Sequence, residues 1–459
     1  MIKRLAKGGL AMAALRVVSM VLMLVLNGYL TRKMSPEDVA AYVSGTNILL
    51  LISFVGMAGL NQSIVRIVAG RRQSNRAVGD LLQQCWKVAV VFSLISTVAF
   101  YLLLKSGFGA WVKCDQRLVA VILICSLLVS VHKLLATSLR SVHALASSSV
   151  LEGRSGGSLA NGLYLLVLPL VALTGLNAER AFLAFAGALA VTVPVGFLLL
   201  RRALEAEQNS ERQDAPGGSG SDRGVLVSDV SGTLKFSVPF LLTGLLGYLA
   251  TEFDVLLASA YTPEADTALF GTSRRLILQA LAPIQILSVS VAASIARLYA
   301  AGDQAGLGRM LRYSATLGSV TTLPLLLICV IFPRQILSLV FGDFYADAST
   351  VFVIMAIGPA VNCLTGQCAN LLMLSGHSTA VLTVKVCSAM TLVFGGAAAA
   401  SHYGINGLAA TTTIITAVEN VILWLLARIL TGLWTHPSIG LRKPRLASAP
   451  ERLVDKTST

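Results

Sequence analysis

Runs of about 20 largely apolar residues recur from one end of the chain to the other, and each is long enough to cross a bilayer as a helix. Twelve can be placed, at roughly 8–31, 37–58, 82–104, 117–139, 156–175, 179–200, 234–259, 267–293, 310–333, 349–373, 378–398 and 405–429. Helices and closed barrels are the only forms that satisfy every backbone group in lipid, and runs of this length read as helices. Only 13% of the 459 residues are charged, against roughly 25% in soluble domains. The expected fold class is therefore an all-α polytopic membrane protein with twelve transmembrane helices. The N-terminal stretch has a basic start and an apolar body, as a signal peptide does. Its body is longer than a signal peptide's and contains Arg16, so it reads as a retained first span.

The net charge of +14 raises the question of a nucleic-acid partner, and its placement answers it. With the N-terminus in the cytoplasm, 22 of the 36 Lys and Arg fall in cytoplasmic connections and 7 in outer ones. That asymmetry is the positive-inside pattern. Both termini are expected in the cytoplasm, and no nucleic acid is needed to explain the charge. The seven cysteines lie mostly inside apolar runs without a CxxC pair, and read as small buried hydrophobes.

The longest polar connection, "EAEQNSERQDAPGGSGSDRG", follows the sixth span. It divides the chain into an N-terminal six-helix bundle (1–203), a flexible linker (204–231), a C-terminal six-helix bundle (232–433) and a basic tail (434–459). The halves share short motifs at separations of about 225–235 residues: "MSPEDVAAYVSG" with "YTPEADTALFGTS", "LEGRS" with "LSGHS", and "GFGAWV" with "VFGDFY". Six spans per half make this a parallel pseudo-two-fold repeat, with the substrate path between the halves.

Charges inside spans are costly and point to function. Seven bases lie within or at the edges of spans (Arg16, Lys87, Lys133, Lys235, Arg274, Arg275, Lys385) but only three acids (Glu252, Asp254, Glu419). Lys87 and Lys235 sit near cytoplasmic ends, where their stems can snorkel. Lys133 and Lys385 lie deeper and either snorkel or line a cavity. Arg16 is deeper still, with Asn27 on nearly the same helical face, and is expected to line one. Arg274 and Arg275 are neighbours, about 100° apart on a helix, so they face different ways. Arg275 shares its face with Thr272 and Gln279 and is the preferred cavity residue. Arg274 is placed to pair with Asp254 or Glu252, which themselves sit on opposite faces. Glu419, near mid-span with Thr412 and Thr416, either couples transport to protons or sodium or is a packing carboxyl.

There is no GxxxxGK[ST], no HExxH and no Cys/His spacing for a metal. The expectation is a non-enzyme without a resident cofactor.

The stretch "RVVSMVLMLVLNGYLTRKMSPEDVAAY" resembles the opening of the Wzx-type polysaccharide and oligosaccharide flippases. These belong to the multidrug/oligosaccharidyl-lipid/polysaccharide (MOP) exporter superfamily. "DVLLASAYTPEADTALFGTSRRL" resembles the start of that family's second half, and "LVFGDFYADASTVFVIMAIGP" with "NLLMLSGHSTA" its late helices. The resemblance implies a MATE-like pair of bundles around a cationic cavity that works by alternating access. It implies as cargo an undecaprenyl-type pyrophosphate-linked glycan, flipped to the outer leaflet of the bacterial inner membrane. The partners implied are membrane lipids, glycosyltransferases and a polysaccharide polymerase. The family's cavity arginines of helices one and eight match Arg16 and Arg274 or Arg275, and its acid near the outer end of helix seven matches Asp254. Rival readings are a multidrug and toxin cation antiporter of the same superfamily and a membrane assembly protein without cargo. Against the antiporter, all three span acids fall in the second half and the span charge is positive.

Overall fold

A computed structural model describes residues 2–69, 78–108, 115–142, 144–153, 157–213 and 230–438, with no account of the side chains of residues 2–16, 69, 107–108, 145, 207–213, 289–290, 293 and 300. Most of the expected linker, the tail beyond 438 and the outer stretch 109–114 lie outside the described residues. The described chain is nearly all helix.

Among the described residues, eight segments are long and apolar enough to cross a membrane: Pro36–Val68, Val78–Ser106, Gln116–Ser141, Ala178–Ala206, Val230–Tyr261, Gln304–Ile331, Asp343–Thr365 and Ser378–Thr431. The last, of 54 residues, contains the two segments expected at 378–398 and 405–429. The backbone leaves helical geometry between them at Gly404 (φ 59°, ψ −151°), a conformation open to a residue without Cβ. The expected span at 8–31 falls on the helix Ile2–Lys33, and that at 156–175 on Gly157–Ala172, which has 16 residues. The segment expected at 267–293 breaks into Glu264–Ala280 and Ala282–Ala300. Pro283 sits in the first turn of the second piece, where its missing N–H costs nothing.

Local chemistry sets the helix ends. Ser35 caps Pro36–Gly56 by accepting a hydrogen bond from the Asp38 N–H at 3.2 Å, with Pro36 at the first position. Asp115 caps Gln116–Ser141 by accepting from the Gln116 N–H at 2.7 Å. Both Ser/Thr-Pro-Glu motifs open a helix with two acids in its first turn, Glu37 and Asp38 in one, Glu264 and Asp266 in the other. Such acids offset the positive N-terminal end of the helix dipole. Hydroxyls within spans mostly donate to their own helix, as in Thr46 to the Tyr42 carbonyl (2.6 Å) and Thr262 to that of Ala258 (2.7 Å).

The chain forms two compact units. The first takes in Met1–Gln279, Ile328–Ala356 and Lys385–Ile415; the second takes in Ala280–Leu327, Ile357–Val384 and Thr416–Thr459. In the first unit a buried core joins Met57, Leu60, Ile64 and Leu81 to Leu134, Leu139 and Leu151. Helix Val230–Tyr261 lies along it. Ser237 hydrogen-bonds Ser63 (2.7 Å), Gln84 donates to Thr233 (2.8 Å), the Arg66 guanidinium covers the Phe240 ring at 5.0 Å, and Tyr248 donates to the Asn47 carbonyl (2.6 Å). The second unit has its own core of Ile295, Leu307, Leu311, Leu371, Leu372 and Leu423. There Trp424 and Trp434 stack at 4.7 Å, and Thr435 donates to the Thr365 carbonyl at 2.6 Å.

The seam against helix Val230–Tyr261 depends on Gly59, where the backbone is left-handed (φ 80°) and a Cβ would stand 2.3 Å from the Ser237 carbonyl oxygen. Gly59→Ala should lower stability by about 1–3 kcal/mol through backbone strain alone, with the clash adding to it. Thermal unfolding in detergent reads the loss, and an unchanged melting curve would show that the seam gives way freely.

Candidate functional site

Helix Glu264–Ala280 carries two adjacent guanidiniums, and the structure gives them different surroundings. Arg274 is buried, and its Nε stands 2.9 Å from Asp254 Oδ2 with the two side chains 11% and 1% exposed. Its Nη2 also donates to the Thr251 carbonyl at 3.0 Å, and Asp254 Oδ1 accepts from the Val255 N–H at 2.9 Å. Of the two carboxylates expected for it, Asp254 is the one taken. Glu252, two residues away, is half-buried on another face. A buried pair of this kind gains Coulomb energy but costs desolvation, and it becomes strongly unfavourable when one partner is removed.

Arg275 turns toward the first two helices of the chain. Its Nη1 donates to Asn27 Oδ1 at 2.7 Å, and its guanidinium carbon lies 5.0 Å from the centre of the Tyr42 ring. Asn27 is itself oriented, since its Nδ2 donates to the Met23 carbonyl at 2.7 Å. Tyr42 packs against Phe182 at 5.1 Å, and Tyr164 against Phe185 at 5.4 Å. An amide oxygen and a ring face thus hold this cation, a contact worth on the order of 0.5–2 kcal/mol for the ring alone. Beneath Tyr42 a small internal cavity is walled by Thr46, Asn161 and Tyr164 among apolar neighbours. The side-chain oxygen of Asn161 is buried there without a hydrogen-bond partner among the described residues.

One expectation about this region changes. Thr272 does not extend a polar stripe beside Arg275, because it is buried and its hydroxyl donates to the Ala268 carbonyl at 2.7 Å. The polar partner comes instead from Asn27, 248 positions away in sequence. Thr412 donates its hydroxyl to the Leu408 carbonyl at 2.9 Å. Tyr42 and Tyr164 were not singled out in the sequence. Their only signal there is a phenol inside an apolar run.

The other candidates are spread over several helices. The side chain of Arg16 lies outside the described residues. Lys133 is half-buried on Gln116–Ser141, beside the fully buried His132. Lys385 is half-buried on Ser378–Thr391, and Glu419 is half-buried in the second unit on Ala397–Thr431. Lys87 and Lys235 are exposed. No group of three His, Cys, Asp or Glu among the described residues is spaced to hold a metal ion.

With this geometry in view, solved structures supply the comparison. The chain aligns with an inward-facing multidrug-resistance MATE transporter of the MOP superfamily at TM-score 0.63 and 14% identity, covering 92% of this chain and 94% of the other. The fold is that of the MOP-superfamily transporters. A lipid II flippase, MurJ, in an inward closed conformation aligns at TM-score 0.65 and 12% identity over 92% of this chain and 87% of its own. A MOP-superfamily transporter from Pyrococcus furiosus, described as having a binding pocket of reversed polarity, aligns at 0.62 and 16% identity over 93% and 96%. No protein-family model matches the chain. No curated protein matches it. At these identities the likeness is one of fold alone.

Asp254→Ala should destabilise the protein by about 3–5 kcal/mol by leaving Arg274 buried without its carboxylate. The double variant Asp254→Leu/Arg274→Met should recover most of that loss. Thermal unfolding of the three proteins checks the coupling, and simple additivity of the two changes would remove the pair as a structural unit.

Proposed function

We propose that this chain flips an isoprenoid-pyrophosphate-linked oligosaccharide from the cytoplasmic to the outer leaflet of a bacterial inner membrane, in the assembly of a cell-surface polysaccharide. The observation that supports this best is Arg275. Its guanidinium lies on the expected eighth span, donates to Asn27 and sits over the Tyr42 ring. A charge within a span costs at least about 2.5–3.5 kcal/mol, and phosphate is a ligand that such a fork binds well. Lys133, Lys385 and Arg16 would extend the cationic path as point charges or forks. Weak attraction at several positions favours entry and still permits release.

In this reading twelve spans form two bundles, 1–203 and 232–433, joined by the linker 204–231, with both termini in the cytoplasm and the tail 434–459 against anionic lipid. The two sequence halves alternate access around the path. Glycosyltransferases supply the cargo and a polymerase consumes it. Glu419 is the candidate for proton or sodium coupling. A lipid II flippase is among the proteins that share this fold, so the architecture is compatible with a lipid-linked cargo.

Arg275→Ala should abolish glycan export while leaving the protein in the membrane, and Arg275→Lys should retain part of it, since charge survives but the planar fork does not. In a strain lacking the protein, lipid-linked glycan should accumulate on the cytoplasmic face. Unchanged surface glycan with heightened sensitivity to cationic dyes would instead indicate a drug exporter. Glu419→Gln should weaken gradient-driven transport in proteoliposomes, and undiminished uptake would take Glu419 out of the coupling.

A further inference from the structure

Helix Ile2–Lys33 belongs to the first sequence half, and its last turns meet the second half at Asn27, Gly28 and Arg32. Asn27 accepts from Arg275. Gly28 lies so close to the short helix Pro333–Phe341 that a Cβ there would stand 2.6 Å from the Val340 carbonyl oxygen. Arg32, one turn further on, donates from Nη2 to the Leu339 carbonyl and to that of Ser338, the latter at 3.4 Å. All of these residues lie in the first unit. Under the proposed topology they sit toward the outer ends of their segments.

The Arg32 contact has the chemistry of a helix end. The last carbonyls of a helix have no partner within it, and the dipole favours a cation beside them. At the end of Pro333–Phe341 the Gly342 N–H reaches back to the Ser338 carbonyl at 2.9 Å, and Arg32 adds Leu339. Acids are close in sequence, since Glu37 and Asp38 line a cavity with Asp115, Glu179 and Glu264. Arg32 nonetheless gives its hydrogen bonds to carbonyls, and it is exposed. That separates it from Arg274, whose carboxylate partner is buried. Breaking a buried pair is strongly unfavourable, whereas an exposed cation at a helix end is held weakly and can let go.

The helix that Arg32 holds is bounded by two departures from helical geometry. Phe332 (φ −120°, ψ 46°) precedes it without a side-chain cap, and Gly342 (φ 110°, ψ 164°) follows it. The second conformation is open to a residue without Cβ. Hinges absorb their motion in a few such residues at the ends of elements. Phe341 packs edge-on against Tyr345 at 5.9 Å, so the helix is tied to the start of the segment that follows it in the second half.

We propose that Arg32 is a reversible latch on the outer side. It holds the C-terminal end of Pro333–Phe341 against the first helix while the path is closed outward, and it releases that end when the path opens. Gly28 is the seat of the latch, because the missing Cβ lets the Val340 carbonyl come close. The inference rests on the reading that the two sequence halves alternate access.

The test uses the full chain in nanodiscs without cargo. Nitroxides are placed by Lys33→Cys and Leu339→Cys, both at exposed positions, with Cys114→Ala and Cys387→Ala to remove competing thiols. Dipolar broadening in electron paramagnetic resonance gives the ratio of close to separated label pairs. Arg32→Gln removes the charge from an exposed side chain and should lower that ratio about threefold. Arg32→Lys should hold it near the starting value, since a helix end responds to charge. The melting temperature of Arg32→Gln should stay unchanged, because a latch leaves the fold intact when it releases. A ratio indifferent to Arg32→Gln, an equal fall in Arg32→Lys, or a lowered melting temperature in Arg32→Gln would overturn the proposal. The export assays of Arg275→Ala test the transport reading by itself, and no cargo enters here, so either can fail alone.

Discussion

A charge placed among apolar helices must be met by another group, and the Arg274–Asp254 pair meets this demand for two charges buried in the first unit. The pair ties helix Glu264–Ala280 to Val230–Tyr261 and fixes the rotation of the former about its axis. Because Arg275 follows by one residue, that rotation decides where the second guanidinium goes. It is carried round to Asn27 and Tyr42 on the first two helices. The structural pair and the candidate binding cation are thus two consequences of one helix orientation.

The same requirement shapes the rest of the interior. Serine and threonine within spans mostly return their hydroxyls to their own backbone, which removes a polar demand without a partner from elsewhere. Polar contacts between helices also occur, among them the seam of Val230–Tyr261 with Ser63, Gln84 and Asn47. The groups left unmatched are then informative. His132 and Asn161 are buried with polar atoms lacking partners among the described residues. Cavities with such groups are the places where water or ions are expected.

Much of the fold was legible from hydropathy, since each expected span falls on helical structure. Breaks within segments were harder to see. Pro283 begins a helix inside an apolar run, and Gly366, left-handed at φ 73°, interrupts another before Cys368–Leu374. Hydropathy averages over a window and does not register a single change of backbone direction. The site was legible in part. Span depth marked Arg274, Arg275 and Asp254 as unusual, and helical geometry correctly set the two arginines on different faces. Their surroundings were not legible, because Asn27 and Tyr42 are distant in sequence and ordinary in type. A same-face argument within one helix cannot reveal partners that other helices bring.

What the sequence determined by itself was the class of structure: apolar runs long enough to need a bilayer, helical because no other open form satisfies the backbone there. It also determined where helices start, through Ser35, Asp115 and the Pro-Glu motifs, because capping is a local interaction. Only the tertiary structure decided that Arg274 meets Asp254 while Arg275 reaches Asn27 and Tyr42, and which acids converge on one cavity. Those outcomes depend on contacts between segments far apart in the chain, and distance in sequence carries no record of them.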